Sequence, residues 1–238
     1  MKGVIAMRAP GVAVVDVSHG VPAQNVMAGS LVLKAAAPYF PAGTVHVAVV
    51  DPGVGTARRA ICIETPTARF VGPDNGLLSL AAPPADVRRV VEITNERHLL
   101  SPRSRTFHGR DVFAPAAAAL ATGVPVTELG SAVDSVVTLD VPSPARVGDA
   151  LRGQVVYVDA FGNLATNIDA ASLPATVARV EIGGRRIDGV VATYGAVATG
   201  GLLALVNSWG VLEIARRDGD ARTLLGADIG TAVTVVAG

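Results

Sequence analysis

The pattern of apolar residues in this chain of 238 residues changes once, at Val141–Gly148. This stretch contains two prolines and a glycine and shows no hydrophobic periodicity, which is typical of a boundary between domains. Helical patterns alternate with short apolar runs before it, whereas short β-like runs separated by glycine-rich turns follow it. The sequence therefore predicts one domain over residues 1–142, a linker at 143–148 and a second domain over 149–238.

The first domain is predicted to be α/β. Val12–Val17 is an almost continuous apolar run, as expected of a strand buried on both faces, and Asn25–Tyr39 has helical composition. Further runs have strand character, at Thr44–Val50, Arg69–Gly72 and Val87–Thr94.

The second domain is predicted to be a small antiparallel barrel or sandwich, because its β-like runs are short and regularly separated by turns. These runs are Leu151–Val158, Ala178–Ile182, Leu202–Val206, Val211–Ala215 and Thr231–Val236.

Composition excludes several classes of partner. Lys plus Arg and Asp plus Glu both number 20 and no run of like charge occurs, so neither a nucleic acid nor a membrane surface is expected to bind. No segment reaches the roughly 18 uninterrupted apolar residues of a membrane span, and no signal peptide is visible. The single cysteine, Cys62, cannot form an intrachain disulfide, which fits a reducing compartment. We expect a cytoplasmic protein.

The segment Val50–Arg59 is the first candidate for chemistry. It follows a predicted strand, which is where open α/β folds place their sites, and it carries Asp51 and Arg58 seven residues apart. A proline and two glycines lie between these residues, so the chain can fold back and bring the acid and the base together. The alternative is a connecting loop with a surface ion pair.

Three other polar sites in the first domain have simpler explanations. His19 is expected to be a structural hydrogen-bonding residue, and Pro73–Gly76 a tight turn without chemistry. His108 lies just before the start of an alanine-rich helix that is predicted to end at about Thr122. The free N–H groups and the positive end of the dipole at the start of a helix favour a reacting group there. The alternative is that His108 and Asp111 only cap that helix.

The second domain carries two polar clusters, Asp159–Ile168 and Asn207–Ala215. Amide, carboxylate and hydroxyl groups lie there beside Phe161 and Trp209, a combination that suits a flat heterocycle with hydrogen-bonding edges and a charged amino-acid end. Taken singly, each cluster is equally explained as a turn whose polar side chains satisfy one another.

In order and spacing, these motifs resemble the S-adenosyl-L-methionine (SAM) hydroxide adenosyltransferases, which are adenosine-forming SAM hydrolases related to the fluorinase and chlorinase. The residues that carry the resemblance are Asp16–His19, Asp51–Thr56 with Arg58, Pro73–Gly76, Thr106–Asp111, Phe161–Asn163 with Thr166 and Asn167, and Asn207–Ser208 with Glu213–Ala215.

The resemblance implies a fold, an assembly and a set of site residues. The fold would be an α/β N-terminal domain, with a Rossmann-like layered sheet and helices, followed by a small C-terminal antiparallel β-barrel. The family is usually a homotrimer with its sites at subunit interfaces, and it uses SAM as substrate without a cofactor. The catalytic residues would be Asp51, Arg58 and His108. The substrate-binding residues would be Asp159, Phe161, Asn163, Ser208, Trp209, Glu213 and Ala215.

The resemblance also separates hydrolase from halogenase. In the halogenases the Asp51 position resembles a tyrosine, and in the fluorinase a halide-binding serine takes the place of Gly109. The carboxylate here can hold water and would repel halide, so hydrolysis is favoured. A halogenase and a non-catalytic adenosine- or SAM-binding protein are the alternatives. A nicotinamide-binding Rossmann enzyme fits less well, because Gly53–Arg58 lacks the third glycine of that motif. No cluster with metal-ligand spacing is visible, and no metal is expected.

The N-terminus departs from the family pattern. Family members begin with a strand that ends in a Thr-Asp-Phe-Gly motif, whose aspartate contacts the ribose hydroxyls. This chain begins at Met1 inside what resembles the following helix. We therefore expect that Met1 is not the natural start, and that the missing strand would lie beside Val12–Val17.

Overall fold

In a computed structural model, residues 1–238 form two compact units, Met1–Leu139 and Asp140–Gly238. The first unit is built on a four-stranded sheet with the strand order β1-β3-β2-β4. Its strands are β1 (Thr44–Val47), β2 (Ala60–Glu64), β3 (Ala68–Pro73) and β4 (Arg89–Glu92). Strands β1 and β3 run parallel, whereas β2 is antiparallel to both β3 and β4. The sheet is therefore mixed, and the Rossmann-like detail is not confirmed.

The helices of the first unit are α1 (Lys2–Arg8), α2 (Val26–Ala36) and α3 (Ala114–Ala121). Asn25 begins α2 by accepting a hydrogen bond from the Ala28 N–H at 2.9 Å. A π-helical turn, Gly109–Phe113, leads directly into α3. Short 3-10 turns lie at Ala37–Tyr39, Pro84–Asp86, Glu96–His98 and Val126–Leu129.

Successive residues of β2 point to opposite faces of the sheet, and each face is buried. Ile61 and Ile63 pack in a cluster with Leu33 of α2, whereas Cys62 packs in a second cluster with Leu120 of α3. Both faces of β2 are covered, which explains why Ala60–Ile63 is a continuous apolar run rather than an alternating one.

The second unit is an antiparallel sheet with the order β10-β11-β7-β6-β12-β8-β9, and β5 pairs with β6. Val191, just after β9, forms a bridge with Leu205 of β10, so the two ends of the sheet approach each other and the sheet nearly closes as a barrel. The strands are β5 (Ala145–Val147), β6 (Ala150–Val158), β7 (Leu164–Asp169), β8 (Val177–Ile182), β9 (Arg185–Asp188), β10 (Leu202–Val206), β11 (Val211–Arg216) and β12 (Ala232–Ala237). A helix, α4 (Ala221–Leu225), and 3-10 turns at Ala170–Ser172 and Tyr194–Ala196 complete the unit.

All five strands predicted for the second domain are present. Strands β5, β7 and β9 were not predicted, and β7 was missed because half of its residues are polar. Thr166 is buried in β7, where its hydroxyl donates to the Leu212 carbonyl at 2.8 Å. Asn167 accepts from the Gln154 N–H at 2.7 Å and donates to the Pro142 carbonyl. The polar groups are hydrogen-bonded inside the fold, so they do not prevent burial. Strand β5 lies within the stretch for which the sequence predicts a linker.

The prediction of a buried strand at Val12–Val17 is wrong. The segment has no strand structure, and its valines are exposed by 38% to 65%. An apolar run becomes a buried strand only where a neighbouring strand takes up its backbone N–H and C=O groups, and none pairs with this one.

None of the helices combines the length and apolar character needed to cross a membrane.

Gly29 of α2 provides a test of the packing around the loop that follows Val50. A Cβ atom on Gly29 would lie 2.8 Å from Leu77 Cδ1 and 2.9 Å from Val50 Cγ2. Gly29→Ala should therefore lower the free energy of unfolding by about 1–3 kcal/mol, although alanine is the better helix former.

Gly3 of α1 is the matched control, since a Cβ there would have nothing within 4 Å. Gly3→Ala should raise stability by about 0.5–1 kcal/mol. Urea denaturation of both variants measures the difference. Equal stabilisation by the two substitutions would contradict the close packing of α2 against Val50.

Candidate active site

The loop between β1 and β2 folds back on itself, as its sequence predicts. The Val54 N–H donates to the Asp51 carbonyl at 3.3 Å, and the Thr56 N–H donates to the Gly53 carbonyl at 3.2 Å. Gly55 has a φ of +81°, and a Cβ there would lie 2.9 Å from the Arg105 carbonyl oxygen, so only glycine fits this turn. The turn returns the chain so that Arg58 faces Asp51.

Asp51 and Arg58 form a two-point ion pair. Arg58 Nε donates to Asp51 Oδ1 at 2.9 Å, and Arg58 Nη2 donates to Asp51 Oδ2. The side chains of Arg58 and Asp51 are only 9% and 6% exposed, respectively, which excludes the alternative of a surface ion pair. The Arg58 guanidinium carbon also lies 5.3 Å from the centre of the Phe113 ring, which adds a cation–π contact. The guanidinium is therefore held in one orientation and is largely shielded from water.

His108 completes this cluster from the turn that precedes α3. Arg58 Nη2 lies 3.0 Å from His108 Nδ1. Because guanidinium has only donors, Nδ1 must accept this hydrogen bond, and the proton of a neutral ring is then on Nε2. The His108 side chain makes no capping hydrogen bond to the helix. The helix-cap alternative is therefore wrong for His108.

Burial lowers the pKa of the His108 imidazole, and the positive charge of Arg58 lowers it further, while Asp51 opposes the shift. Smaller effects of the charges on Arg103 and Asp111 act in opposite directions on this pKa. Since the ordinary pKa of histidine is about 6.5, a lowered pKa leaves His108 neutral at pH 7. A neutral ring is also what the hydrogen bond from Arg58 to Nδ1 requires.

Two other polar residues near the predicted motifs have local partners. Asp111 is 1% exposed; its Oδ2 accepts from the Ser104 N–H at 2.8 Å, and its Oδ1 accepts from Arg110 Nε at 2.5 Å. Asp111 therefore holds the loop before His108 rather than capping α3. His19 lies on an exposed segment, where its Nε2 is 3.3 Å from Asp16 Oδ1, in agreement with a structural role.

The second unit contains a cavity of about 400 Å³ at the ends of β6, β10 and β11. Of the predicted substrate-binding residues, those that line it are Asp159, Asn163, Ser208, Trp209 and Glu213. Phe161 and Ala215 do not line it: the Phe161 side chain is 76% exposed, and Ala215 is fully buried in β11. The remaining lining residues are Tyr157, Ala165, Ala192, Thr193, Tyr194, Leu205, Val206 and Asn207.

One wall of the cavity is a loop held by Asp159. Its Oδ1 accepts from the N–H groups of Phe161 and Asn163 at 2.9 and 2.8 Å, and its Oδ2 accepts from Asn163 Nδ2 at 2.9 Å. The alternative interpretation of this cluster, a turn whose polar side chains hydrogen-bond within the turn itself, therefore describes this loop correctly. It does not exclude binding, because a carboxylate has further lone pairs to offer.

The opposite wall is organised around Glu213, which is 6% exposed. Tyr194 Oη donates to Glu213 Oε1 at 2.7 Å, and Asn207 Nδ2 donates to Oε2 at 3.0 Å. Burial and the Glu213 carboxylate raise the pKa of Tyr194 to about 12, so its hydroxyl stays protonated as a donor. Neither partner of Glu213 is a cation, so the buried charge is stabilised only by neutral donors.

Sequence reasoning missed Tyr157 and Tyr194. The Tyr157 ring packs against the Trp209 ring in a tilted arrangement, with ring centres 4.9 Å apart and an interplanar angle of 50°. A signal was present, because the chain has only three tyrosines and Tyr157 stands two residues before Asp159. Three aromatic rings, two carboxylates and no cationic side chain line the cavity. These features suit a flat, positively charged ligand.

Comparison with known families decides the relationship. Models of the N-terminal and C-terminal domains of the SAM hydroxide adenosyltransferases match residues 1–130 and 153–234, respectively. The chain belongs to this family. No group of three or more His, Cys, Asp or Glu side chains is arranged to hold a metal ion.

Relatives within the hydroxide adenosyltransferase family extend over nearly the whole chain. The (R)-S-adenosyl-L-methionine hydrolase of Salinispora tropica is 46% identical over 242 residues, covering 99% of this chain and 91% of the relative. The protein of the same name from Thermus thermophilus is 42% identical over 243 residues, covering 99% and 92%. A fluorinase from an Actinoplanes species is more distant, at 29% identity over 199 residues, 72% of this chain and 67% of that protein.

Solved structures agree with this assignment. The crystal structure of an uncharacterized conserved protein from Thermotoga maritima superimposes with a TM-score of 0.91 at 38% identity, covering 99% of this chain and 93% of the other. A conserved hypothetical protein from Thermus thermophilus gives a TM-score of 0.79 at 40% identity, covering 99% and 92%. The fold is therefore that of the family.

The protonation of His108 can be tested directly in this family member. We expect 15N NMR to show the ring as the Nε2–H form at pH 7, with a pKa below the ordinary value, because Arg58 donates to Nδ1. In Arg58→Ala the pKa should rise, since the cation beside Nδ1 is removed. Comparison with His108→Asn assigns the signal among the four histidines. A wild-type pKa at or above 6.5 would contradict the arrangement.

Proposed function

We propose that this protein hydrolyses SAM to adenosine and L-methionine by in-line attack of water on C5′ of the ribose. The observation that carries the proposal is the arrangement of the Arg58 guanidinium between the Asp51 carboxylate and the His108 imidazole. Such a cluster places a fixed positive charge, a proton acceptor and an N–H donor beside one another. These are the groups that generate and orient a hydroxide ion.

The substrate supplies a good leaving group. As water attacks C5′, a C–O bond forms, the C5′–S bond breaks and its electron pair passes to sulfur, so methionine leaves as a neutral thioether. The proton of the water is lost to the enzyme and then to solvent. The positive charge of the sulfonium and the negative charge of a developing hydroxide cancel on the way to the transition state, so a site shielded from water favours the reaction.

In the proposed reaction the three residues have different roles, and their hydrogen bonds support this division. Arg58 remains protonated and stabilises the developing hydroxide electrostatically. Two lone pairs of the Asp51 carboxylate accept hydrogen bonds from Arg58. Its other lone pairs are free to orient the water molecule and to accept a proton from it. The Nδ1 atom of His108 is already occupied by Arg58, so His108 orients the water through its Nε2–H group. Asp51 is therefore favoured over His108 as the proton acceptor.

The cavity of the second unit is the proposed site for the nucleoside and the methionine end of SAM. Its aromatic side chains, Tyr157, Tyr194 and Trp209, offer surfaces for the adenine ring. Asp159 and Glu213 are anions without a cationic partner, which suits the sulfonium and the α-ammonium group of the substrate. Asn163 and Ser208 add polar groups to the lining, and we include Phe161 and the Ala215 backbone as contacts from the family pattern.

Two other functions are less well supported. A halogenase would have to hold a halide next to the Asp51 carboxylate, which repels anions. The fluorinase of Actinoplanes is also less similar to this chain than the named hydrolases are. A protein that only binds SAM or adenosine would have no use for the shielded ion pair of Asp51 with Arg58, because a buried pair is costly to desolvate.

We also propose a homotrimer in which the first unit of one subunit and the second unit of another form each site. Supporting this, the catalytic cluster lies entirely in the first unit and the binding cavity entirely in the second. We further propose a cytoplasmic location, which accords with the unpaired, buried Cys62, whose pKa burial raises to about 12.

Chromatography of the products tests the hydrolase proposal. Wild-type protein incubated with SAM and a chelator, without halide, should release adenosine and L-methionine in equal amounts. Arg58→Lys keeps the charge but loses the planar fork, so kcat should fall about 100-fold while adenosine binding is unchanged by calorimetry.

Arg179→Lys is the control for that substitution, since Arg179 pairs with Glu181 on the surface of β8 and should tolerate lysine. S-adenosylhomocysteine or a halogenated adenosine as the main product would refute hydrolysis. Loss of adenosine binding in folded Arg58→Lys would show that Arg58 is a binding group instead.

Mixed oligomers test the shared site. Arg58→Lys damages the first unit, and Ala192→Trp should block the cavity of the second unit, where Ala192 lines an open edge. Each variant alone should be nearly inactive. Co-expressed, they should recover about a quarter of wild-type turnover, because a site shared between subunits can combine two undamaged halves. Sites formed within single chains would show no recovery, and sedimentation as a monomer would equally contradict the proposal.

A further inference from the structure

The turn Pro73–Gly76 contacts both ends of the loop that carries Asp51 and Arg58. At one end, Asn75 Nδ2 donates to the carbonyl oxygen of Val50 at 2.9 Å. At the other end, Arg59 donates to Asp74 Oδ2 from Nε at 2.8 Å and from Nη2 at 2.5 Å. Val50 immediately precedes Asp51, and Arg59 immediately follows Arg58, so adjacent residues of one turn hold the residues that flank the catalytic loop.

The turn is itself firmly held. Asp74 is 3% exposed in its side chain, and its Oδ1 accepts from the Val137 N–H at 2.8 Å. The Asp74 N–H donates to the Arg59 carbonyl at 3.0 Å, and Arg59 Nη2 reaches the Ser135 carbonyl at 2.8 Å. The hydrogen bonds of Asp74 and Arg59 therefore join the turn and the loop to each other and to the segment 135–137.

The same turn fixes the orientation of the Asn75 amide. Asn75 Oδ1 accepts from the Leu77 N–H at 3.2 Å, which leaves the NH₂ group pointing at Val50. Gly29 packs against the Val50 side chain from the other direction. The backbone before Asp51 is thus fixed by a hydrogen bond on its carbonyl and by close packing on its side chain.

We propose that Asp74 and Asn75 are positioning residues for the hydrolysis, acting through the two ends of the Asp51–Arg58 loop. This inference rests on the proposed function. Neither residue touches the reacting groups; each sets where the loop backbone lies, and so where Arg58 meets Asp51 and His108. The tight turn predicted from the sequence then has a catalytic purpose beyond reversing the chain.

The expected consequence is a loss of rate without a loss of binding. A displacement of about 1 Å in a catalytic group can cost about 100-fold in rate, because reacting groups must be held close to the geometry of attack. The adenosine cavity lies in the other unit and shares no residue with this turn. Loosening the loop should therefore lower kcat about 10- to 100-fold and leave adenosine affinity unchanged.

Two substitutions with opposite changes in charge test the proposal. Asn75→Asp keeps the acceptor for Leu77 but replaces the donor to Val50, and adds a negative charge. Asp74→Asn keeps the acceptor for the Val137 N–H but weakens the hydrogen bonds from Arg59 to residue 74, and it removes a negative charge. A loss of kcat in both variants cannot then be a simple effect of charge.

The matched control is Asn95→Asp. Asn95 makes the same two bonds in the same unit: its Oδ1 accepts from the Arg97 N–H at 3.2 Å and its Nδ2 donates to the Glu128 carbonyl at 2.7 Å. Because the bonds are of the same kind, Asn95→Asp should lower the free energy of unfolding by an amount similar to Asn75→Asp. Because Asn95 holds a different loop, kcat should stay within about twofold of wild type. All variants are compared at a temperature at which circular dichroism shows them folded.

NMR titration of His108 gives a readout that does not depend on turnover. Arg58 contacts the His108 ring at Nδ1, and the other charges that act on His108 are those of Asp51, Arg103 and Asp111. Displacing Arg58 should raise the His108 pKa in both Asn75→Asp and Asp74→Asn, although removal of a negative charge in the latter would by itself lower it. The pKa should not change in Asn95→Asp.

The outcomes separate the two proposals. Unchanged kcat and His108 pKa in both turn variants would overturn the positioning role, as would an equal loss of kcat in Asn95→Asp. No turnover by the wild-type protein would count against the hydrolase proposal alone, because the His108 titration would still test the turn. Reduced kcat, unchanged adenosine affinity and a raised His108 pKa, together, would support the inference.

Discussion

The geometry of the proposed catalytic cluster depends on the orientation of one guanidinium group. Arg58 is planar and has only donors, so its contacts determine what its neighbours must be. Asp51 has to present a carboxylate edge, and His108 has to present an unprotonated Nδ1. The face of the guanidinium rests on Phe113 at the start of α3. A permanent charge in a shielded place is stable only when its surroundings are arranged in this way.

That requirement explains why much of the first unit converges on a short loop. Gly55 permits the turn, and Gly29 lets α2 approach Val50. The Pro73–Gly76 turn supplies hydrogen bonds on either side. Each feature reduces the freedom of the backbone that carries Asp51 and Arg58. Preorganisation of this kind lowers the cost of orienting charged groups at the moment of reaction.

The two units provide complementary electrostatics. The cluster of the first unit places a guanidinium where a negative charge is proposed to develop, whereas the cavity of the second unit presents Asp159 and Glu213 without a cation beside them. In the proposed reaction, hydroxide would be stabilised by the first environment and the sulfonium by the second.

The sequence alone determined local features: five of the eight strands of the second unit, the helical character of Asn25–Tyr39, and the fold-back of the loop between Asp51 and Arg58. These follow from spacing, turn residues and apolar periodicity, which act over a few neighbouring residues. The order of the motifs also indicated the family. Only the tertiary structure showed that Val12–Val17 has no strand partner and that the polar strand β7 is buried, because both depend on hydrogen bonds with residues distant in sequence. The tautomer of His108 and the contacts of Asn75 were decided in the same way, by the direction in which a donor from elsewhere in the chain points.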